Sequence, residues 1–396
     1  MSVTAESGGA PFGLQVSALA AGAFFFLVLL FPLGVSAEGD EVDRRLDAVE
    51  KKLDEMIGRY RAETMARKDM EEIRPKFGYN LGAFGDVIYS TAGRENANHG
   101  FTVGDLALYS TASYGGRLNF LFEMEIEIDN DYAGVELERL WVGYTFDDRL
   151  ALRAGRFHTA LGYWNKEYHH SRYLFVTVER PFFLQFEHDN GVMPVHIVGV
   201  EAAGAVSAAD SRIRYEFEVG NGPALNTATG ELSPNNTADN DDAKQLAGRL
   251  SIRPDAVAGL TLGVSATRYS LDTLTRRCAD VRVLNAFTHY LRHGLELHAE
   301  YFIISNAHHR ADAYYFQAAY RLNAFTPYGR YETLDSDPSD PYFSSLAGGK
   351  SRTQYIAGVK YDFSPLRAVL KLQFRRDEMA GYRSYNVVET QWAFHF

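Results

Sequence analysis

Residues 117–129, RLNFLFEMEIEID, alternate between apolar and polar side chains. One set of alternate positions is apolar throughout: Leu118, Phe120, Phe122, Met124, Ile126 and Ile128. The opposite set is polar or charged at six of its seven positions: Arg117, Asn119, Glu123, Glu125, Glu127 and Asp129. A period of two is typical of a β-strand, because successive side chains point to opposite faces. The stretch therefore predicts a strand with one dry face and one wet face.

The same alternation recurs from residue 77 to the end of the chain. It divides this region into about sixteen strands, an even number. The connections alternate in length, and the long ones are residues 91–100, 159–191, 221–243, 271–280, 335–351 and 377–384. Short turns at one rim and long loops at the other are typical of bacterial outer-membrane barrels. We therefore predict an all-β fold, a transmembrane antiparallel β-barrel over residues 75–396, with both termini in the periplasm.

A soluble β-sandwich would also show alternating strands, with its apolar faces buried and its charged faces in water. That fold does not account for the loop asymmetry, the export signal and the aromatic C-terminus together, and sheets rarely hold so many strands. In a membrane barrel the apolar face meets lipid and the charged face meets a wet lumen. A slip of residues 117–129 by one position would move three glutamates into hydrocarbon, so the register is well fixed.

Residues 17–37 contain an apolar core that is too short for a comfortable membrane span and ends in small residues. The sequence VSA at 35–37 fits the small-residue rule for signal peptidase. Residues 1–37 are therefore predicted to be a signal peptide that is cleaved before Glu38. The segment departs from the rule in one respect, since residues 1–16 contain no lysine or arginine. An uncleaved anchor is the alternative.

Residues 38–74 show a different period. Apolar side chains recur at alternating spacings of four and three: Val42, Leu46, Val49, Leu53, Met56 and Tyr60. These positions form an a/d seam of roughly three heptads, with charges at most of the others. So short a helix is marginal alone. We predict a short periplasmic coiled-coil helix that pairs with copies of itself, and a solvated linker helix is the alternative.

The chain ends on NVVETQWAFHF, residues 386–396, which is again an alternating strand. A closed barrel has no free edge, so this last strand must pair with the first. Its outer face carries Trp392, Phe394 and the terminal Phe396. This pattern resembles the C-terminal signal by which the barrel-insertion machinery recognises outer-membrane proteins.

The strand count, the long connection between the fifth and sixth strands and the terminal Phe396 resemble those of the Gram-negative outer-membrane porins. The helical prefix is similar to that of the phosphate-selective porin O/P-like group. The resemblance implies a homotrimer of water-filled channels for small hydrophilic solutes or ions, constricted by the third external loop. A PEFGG-type motif in that loop and a run of lumen arginines or lysines are both missing from the sequence. Phosphate selectivity is therefore not inferred.

The loop at 159–190 is dense in aromatic and titratable side chains. Trp164, Tyr163, Phe182 and Phe183 are predicted to pack it on the inner wall. The predicted pore constriction consists of Lys166, Glu167, His169, His170, Arg172 and Arg180. The histidines could also ligate a metal, but no helical spacing supports a preformed site, so no metal or other cofactor is expected.

The wet faces of the strands carry charges of both signs. The predicted lumen wall includes Glu123, Glu125, Glu127, Arg212, Arg214, Glu216, Glu296, His298, Glu300, Arg330, Lys371 and Arg375. Rings of one sign would indicate ion selectivity, whereas interspersed signs favour a broad pore. Two alternatives stay open: a barrel enzyme of the phospholipase or protease kind, with His298 as the best candidate residue, and a stalked structural envelope protein.

Two features of the composition bear on disulfides and partners. Cys278 is the single cysteine, so an intramolecular disulfide is excluded. The chain is mildly acidic, with a net charge of −11. The expected partners are outer-membrane lipid, the insertion machinery, further copies of the chain and small solutes, with no nucleic acid.

Overall fold

The computed structural model describes residues 77–91, 100–129, 132–168, 172–187, 189–233, 243–274 and 278–396. The predicted signal peptide and the predicted coiled-coil helix lie outside these residues. They remain predictions.

Sixteen antiparallel strands form a closed barrel, which confirms the predicted architecture. In chain order the barrel strands are β1 (Phe77–Ser90), β2 (Gly100–Tyr114), β3 (Leu118–Asp129), β4 (Tyr132–Asp147), β5 (Leu150–His158), β6 (His196–Ser207), β7 (Ser211–Asn221), β10 (Lys244–Pro254), β11 (Leu260–Asp272), β12 (Cys278–Arg292), β13 (Leu295–Asn306), β14 (His309–Tyr320), β15 (Phe325–Asp335), β16 (Arg352–Phe363), β17 (Ala368–Met379) and β18 (Tyr385–His395). The connection between β7 and β10 holds a two-stranded hairpin of β8 (Leu225–Asn226) and β9 (Glu231–Leu232).

The first and last strands close the barrel. β1 pairs with β18 from Phe84 opposite His395 to Ser90 opposite Glu389. The ladder extends to the final residue: the backbone N–H of Ala83 donates to the carbonyl of Phe396 at 2.8 Å, and the N–H of Phe396 donates back at 3.0 Å. The C-terminal residue is thus part of the sheet, as the alternation of the last eleven residues predicted.

The two faces of the wall have opposite chemistry. Phe217 on β7 and Val264 on β11 expose 63% and 54% of their surface on the outer face. The neighbours of Phe217, Glu216 and Glu218, are buried on the inner face. This is the arrangement of a membrane barrel, because apolar side chains outside face lipid and charged ones inside face the lumen.

The connections differ at the two rims. The turns on the side of the C-terminus are short, for example residues 293–294 between β12 and β13. The other rim carries the long connections 159–195, 222–243 and 336–351, although residues 307–308 form a two-residue turn there.

The long connections contain short helices. They include α1 (Trp164–Glu167), a 3₁₀ helix (Phe182–Leu184) and α2 (Pro341–Ser345), and a further 3₁₀ helix (Ser364–Leu366) lies between β16 and β17. No helix within the described ranges is long and apolar enough to cross a membrane.

The outer face can be tested at Leu250, which lies near the middle of β10 and exposes 49% of its surface. Replacing Leu250 with Arg should lower the free energy of unfolding in lipid vesicles by about 2–4 kcal/mol, because a charge on the lipid face near the midplane is destabilising. The control Leu250→Met keeps the side chain apolar and should change stability by less than about 1.5 kcal/mol. Equal stabilities for the two variants would show that this face does not lie in hydrocarbon.

Candidate functional site

The connection between β5 and β6, residues 159–195, runs inside the barrel, and we call it the inner loop. Its aromatic side chains Trp164 and Phe183 are fully buried, as the sequence predicted. Phe183 packs on Phe302 of β13 with ring centroids 5.7 Å apart, and Trp164 meets Tyr315 of β14 at 5.8 Å. These contacts belong to an apolar cluster that joins the inner loop, the walls of β11–β15 and α2.

A carboxylate of the wall caps the start of α1. Glu300 on β13 accepts hydrogen bonds from the backbone N–H groups of Tyr163 and Trp164, both at 2.8 Å. The hydroxyl of Tyr315 and the amide of Asn285 also donate to Glu300, at 2.8 and 3.1 Å. The first N–H groups of a helix have no partner inside the helix, so a buried carboxylate at this end satisfies them and fixes α1 to the wall.

Lys166 of α1 lies in a nest of wall carboxylates. Its Nζ donates to Glu201 at 3.0 Å, to Glu218 at 3.1 Å and to the carbonyl of His158 at 3.1 Å, and Glu216 is 3.7 Å away. Burial by itself would lower the pKa of Lys166, but the three carboxylates outweigh it and raise the pKa above its ordinary value. Lys166 is therefore charged and neutralises part of an acidic wall.

The middle of the inner loop reaches the opposite side of the barrel. Arg172 forms an ion pair with Asp86 of β1 at 3.2 Å. Lys371 of β17 donates to the carbonyl of Thr177 at 2.7 Å and also to the carbonyl of Arg172. Arg330 of β15 donates to the carbonyl of Glu179 at 2.9 Å. The inner loop thus crosses the lumen and is bonded to strands on both sides.

The end of the inner loop is anchored by Glu187. Its carboxylate accepts from the N–H groups of Val195 and His196 at 2.8 Å and contacts the His196 ring at 3.1 Å. Burial would raise the pKa of Glu187, but His196 and Arg156 lower it to about 2. Because a lowered pKa stabilises the fold above the ordinary value of 4.5, this anchor weakens only as the pH falls from there toward 2.

The connection between β15 and β16, residues 336–351, also contacts the inner loop and holds it in place. Tyr342 of α2 donates its hydroxyl hydrogen to the carbonyl of Val192 at 2.6 Å, and its oxygen lies 2.7 Å from the hydroxyl of Tyr269 on β11. Asp340 caps α2 by accepting from the N–H of Tyr342 at 2.9 Å. The apolar half of the inner loop is therefore held between the wall and this connection.

The predicted constriction residues have different surroundings. Glu167 is the most accessible, with 30% of its side chain exposed, and it pairs with Arg249 of β10 at 3.2 Å. Arg180 is buried, with its guanidinium 4.2 Å from the ring centre of Phe186, and burial lowers its pKa to about 10. His169 and His170 lie outside the described residues.

The predicted lumen-wall residues lie on the inner face wherever their side chains are described. They include the buried Glu123, Glu125, Glu216, His298, Glu300, Arg330 and Lys371, the half-exposed Glu296 and Arg375, and the exposed Arg212 and Arg214. The side chain of Glu127 lies outside the described ones. Trp392, Phe394 and Phe396 of the predicted insertion signal lie on the outer face, where Trp392 stacks on Phe363 at 5.4 Å.

Sequence reasoning did not identify Asp86, Glu201 or Glu218 as partners of the inner loop. The signal was visible, because each is an acidic residue at an inward position of an alternating strand. Their role depends on which part of a distant loop lies opposite, and a periodic pattern does not contain that information.

The carboxylate nest gives a test of the loop attachment. Replacing Lys166 with Met removes the cation that Glu201, Glu216 and Glu218 share. Arg153 and Arg249 still pair with Glu201 and Glu216, but the buried Glu218 loses its ion pair, so the free energy of unfolding should fall by about 3–5 kcal/mol. The control Lys350→Met removes an exposed lysine whose Nζ donates to the hydroxyl of Tyr382 at 2.9 Å, and it should cost less than about 1 kcal/mol. Chemical unfolding in detergent measures the free energy of unfolding of both variants. Similar losses would show that the three carboxylates around Lys166 give it no special stabilising effect.

Solved structures of several bacterial outer-membrane proteins resemble this chain. The anion-selective porin from Comamonas acidovorans is 15% identical, with a TM-score of 0.55 over 81% of this chain and 100% of that one. OmpF of Salmonella typhi, in a complex with daunomycin, is 11% identical, with a TM-score of 0.53 over 81% and 98% of the two chains. The trimer form of OmpT from Vibrio cholerae is 11% identical, with a TM-score of 0.51 over 81% and 99%. At these identities the likeness shows the fold alone.

Sequence comparison is more specific. No curated protein matches the chain. The family model described as phosphate-selective porin O and P matches residues 77–300, which is more than half of the chain. With the closed barrel of sixteen strands and a loop folded into it, the chain belongs to the phosphate-selective porin O and P family and is an outer-membrane channel protein.

Proposed function

We propose that the inner loop is the constriction of a water-filled channel for passive diffusion of small hydrophilic solutes or ions. The observation that carries this proposal is the attachment of one loop to opposite walls, through Lys166 on one side and Arg172 on the other. A loop held at both sides narrows the lumen to the space it leaves free. Few charges are needed there to influence the passage of ions, because a narrow passage of low dielectric strengthens their field.

The middle of the inner loop carries charges that are paired at short range. Arg172 faces Asp86 at 3.2 Å and Glu179 at 3.4 Å, and these groups are part of the inner loop or of β1. Burial raises the pKa of Glu179 above its ordinary value. A passage beside these groups meets both signs at short range, and its field discriminates less between cations and anions than a ring of one sign would.

The channel proposal is preferred over an enzyme. His298, the candidate catalytic residue, is fully buried and stacks on Trp164 with centroids 5.6 Å apart. The hydroxyl of Tyr315 lies 2.8 Å from its Nε2. These contacts give His298 a role in holding the inner loop, and they leave its ring no face for a substrate.

A homotrimer is the proposed assembly. One of the similar solved structures, OmpT of Vibrio cholerae, is a trimer form. The predicted coiled coil at residues 38–74 would add contacts between copies on the periplasmic side.

The constriction predicts opposite effects for two substitutions. In planar bilayers under a salt gradient, the purified protein should give stepwise conductance. Arg172→Gln should shift the reversal potential toward cation preference, and Glu179→Gln should shift it toward anion preference, because each removes one charge from the passage. The control Arg376→Gln removes an exposed arginine of β17 that pairs with Glu378 on the outer face, and it should leave the potential unchanged.

Two results would contradict the proposal. Folded protein that leaves the bilayers silent would argue against a channel. Unchanged reversal potentials for both loop variants would move the constriction away from this part of the inner loop.

The assembly has its own test. Deleting residues 38–74 should lower the thermal stability of the oligomer while the barrel still inserts, because only contacts between the helices are removed. Light scattering in mild detergent, with the full-length chain as control, measures the mass of both. A monomeric full-length protein would reject the trimer, and an unchanged melting temperature would reject the coiled coil.

A further inference from the structure

Three arginines form a row across the outer face of the barrel. Arg268 of β11 lies opposite Arg282 of β12, Arg282 lies opposite Ser305 of β13, and Ser305 lies opposite Arg310 of β14. Opposite positions on neighbouring strands share one face, with side chains about 5 Å apart. The outward direction follows from the neighbours, since Tyr269 and Val283 point into the apolar cluster inside the barrel. We call these four residues the arginine row.

A band of tyrosines locates the arginine row relative to the membrane. Tyr301, Tyr314, Tyr331 and Tyr355 lie side by side on the outer face of β13–β16, with ring centroids 5.2–6.0 Å apart. Tyrosine belts of this kind occur at the membrane–water interface. Ser305 follows Tyr301 by four residues, roughly 13 Å along the strand toward the long external connections. The arginine row therefore lies on the outer side of the belt, at the depth of the lipid headgroups.

The positive charges of the arginine row outnumber the carboxylates beside them. Arg268 holds Asp280 with two hydrogen bonds of 2.9 Å, and Arg310 holds Asp312 at 2.7 Å. Arg282 approaches Asp280 at 3.6 Å, and 66% of its side chain is exposed. Three guanidinium groups thus face two carboxylates that already accept from the other two arginines. The excess positive charge is centred on Arg282.

We propose that the arginine row binds a phosphate group in the headgroup of an outer-leaflet lipid, with Arg282 as the central ligand. A guanidinium matches phosphate geometry with two parallel N–H donors, and such pairs are stronger than neutral hydrogen bonds. The surface toward the membrane continues as apolar side chains, Leu284 with 56% and Val264 with 54% of their surface exposed. Acyl chains attached to the bound headgroup would lie on these side chains.

This site is separate from the solute path. The arginine row lies on the outer face, and the inner loop and its charges lie inside the barrel wall. A negative result for lipid binding would therefore leave the channel proposal unaffected, and a silent bilayer would leave the lipid site unaffected.

The experiment measures binding of an acylated glucosamine disaccharide that carries two phosphates, and of its dephosphorylated form, to full-length protein in a non-ionic maltoside detergent, which contains no phosphate. Native mass spectrometry counts the bound lipid. Parent protein should bind the phosphorylated lipid, and Arg282→Ser should bind it at least about tenfold more weakly, because a charge-assisted contact is lost. Arg282→Lys keeps the charge but not the two parallel donors, so its affinity should lie between those of the parent and Arg282→Ser.

The matched control is Arg376→Ser. Arg376 lies on the same outer face of β17, opposite Tyr355 of the tyrosine belt, and Glu378 neutralises it at 2.7 Å. This variant should bind the phosphorylated lipid as the parent does. Equal losses for the Arg282 and Arg376 variants, or equal binding of the dephosphorylated lipid, would overturn the proposal. Displacement of the lipid by millimolar inorganic phosphate would also overturn it, because the arginine row would then be a site for free anions.

Discussion

Closure of the sheet is the constraint on which the rest of this structure depends. Hydrocarbon offers backbone N–H and C=O groups no hydrogen-bond partner, so every strand that crosses it needs a neighbour on both sides. In this chain β18 supplies the last neighbour, and the ladder with β1 runs to Phe396 itself. Once the sheet is closed, each strand has an inside and an outside. The alternation at residues 117–129 then becomes a division between lipid and lumen.

A barrel of sixteen strands creates a second problem, because its wall side chains are too short to fill it. The inner loop enters this space and needs partners for its own polar backbone. The wall provides them as charged groups: Glu300 accepts the N–H groups that begin α1, and Lys371 donates to carbonyls near Thr177. The wet face predicted from the sequence thus serves largely to hold a loop, which a view of the strands as a bare channel wall would miss.

The sequence predicted what local periodicity can report. The strand number, the direction of each face, the long connection after the fifth strand and its aromatic contacts with the wall all follow from residue order. Contacts between distant segments do not: Trp164 meets Glu300 136 residues away, and Arg172 meets Asp86 86 residues away. Such pairs depend on the strand register and on the path of the inner loop. The arginine row shows the same limit, because its alignment follows only from the registers of three strand pairs, β11–β12, β12–β13 and β13–β14.

The two sides of the inner loop differ in a way that bears on the solute path. Its apolar side packs against β11–β15, where Trp164, Phe183 and Phe302 exclude water. Its polar side meets β1 and β17 through ion pairs and hydrogen bonds, and these partners are buried too: Asp86 exposes 4% and Lys371 none of its surface. In the proposed channel, solutes therefore pass beside the inner loop and not through its contacts with the wall, where charges such as Glu167 and Arg153 keep 30% and 37% of their side chains exposed. Arg172 contacts Asp86 of β1, and the amide of Gln391 on β18 donates to the carbonyl of Val178. The two strands that close the sheet thus also hold the middle of the inner loop, so the closure of the barrel and the position of the constriction depend on the same strands.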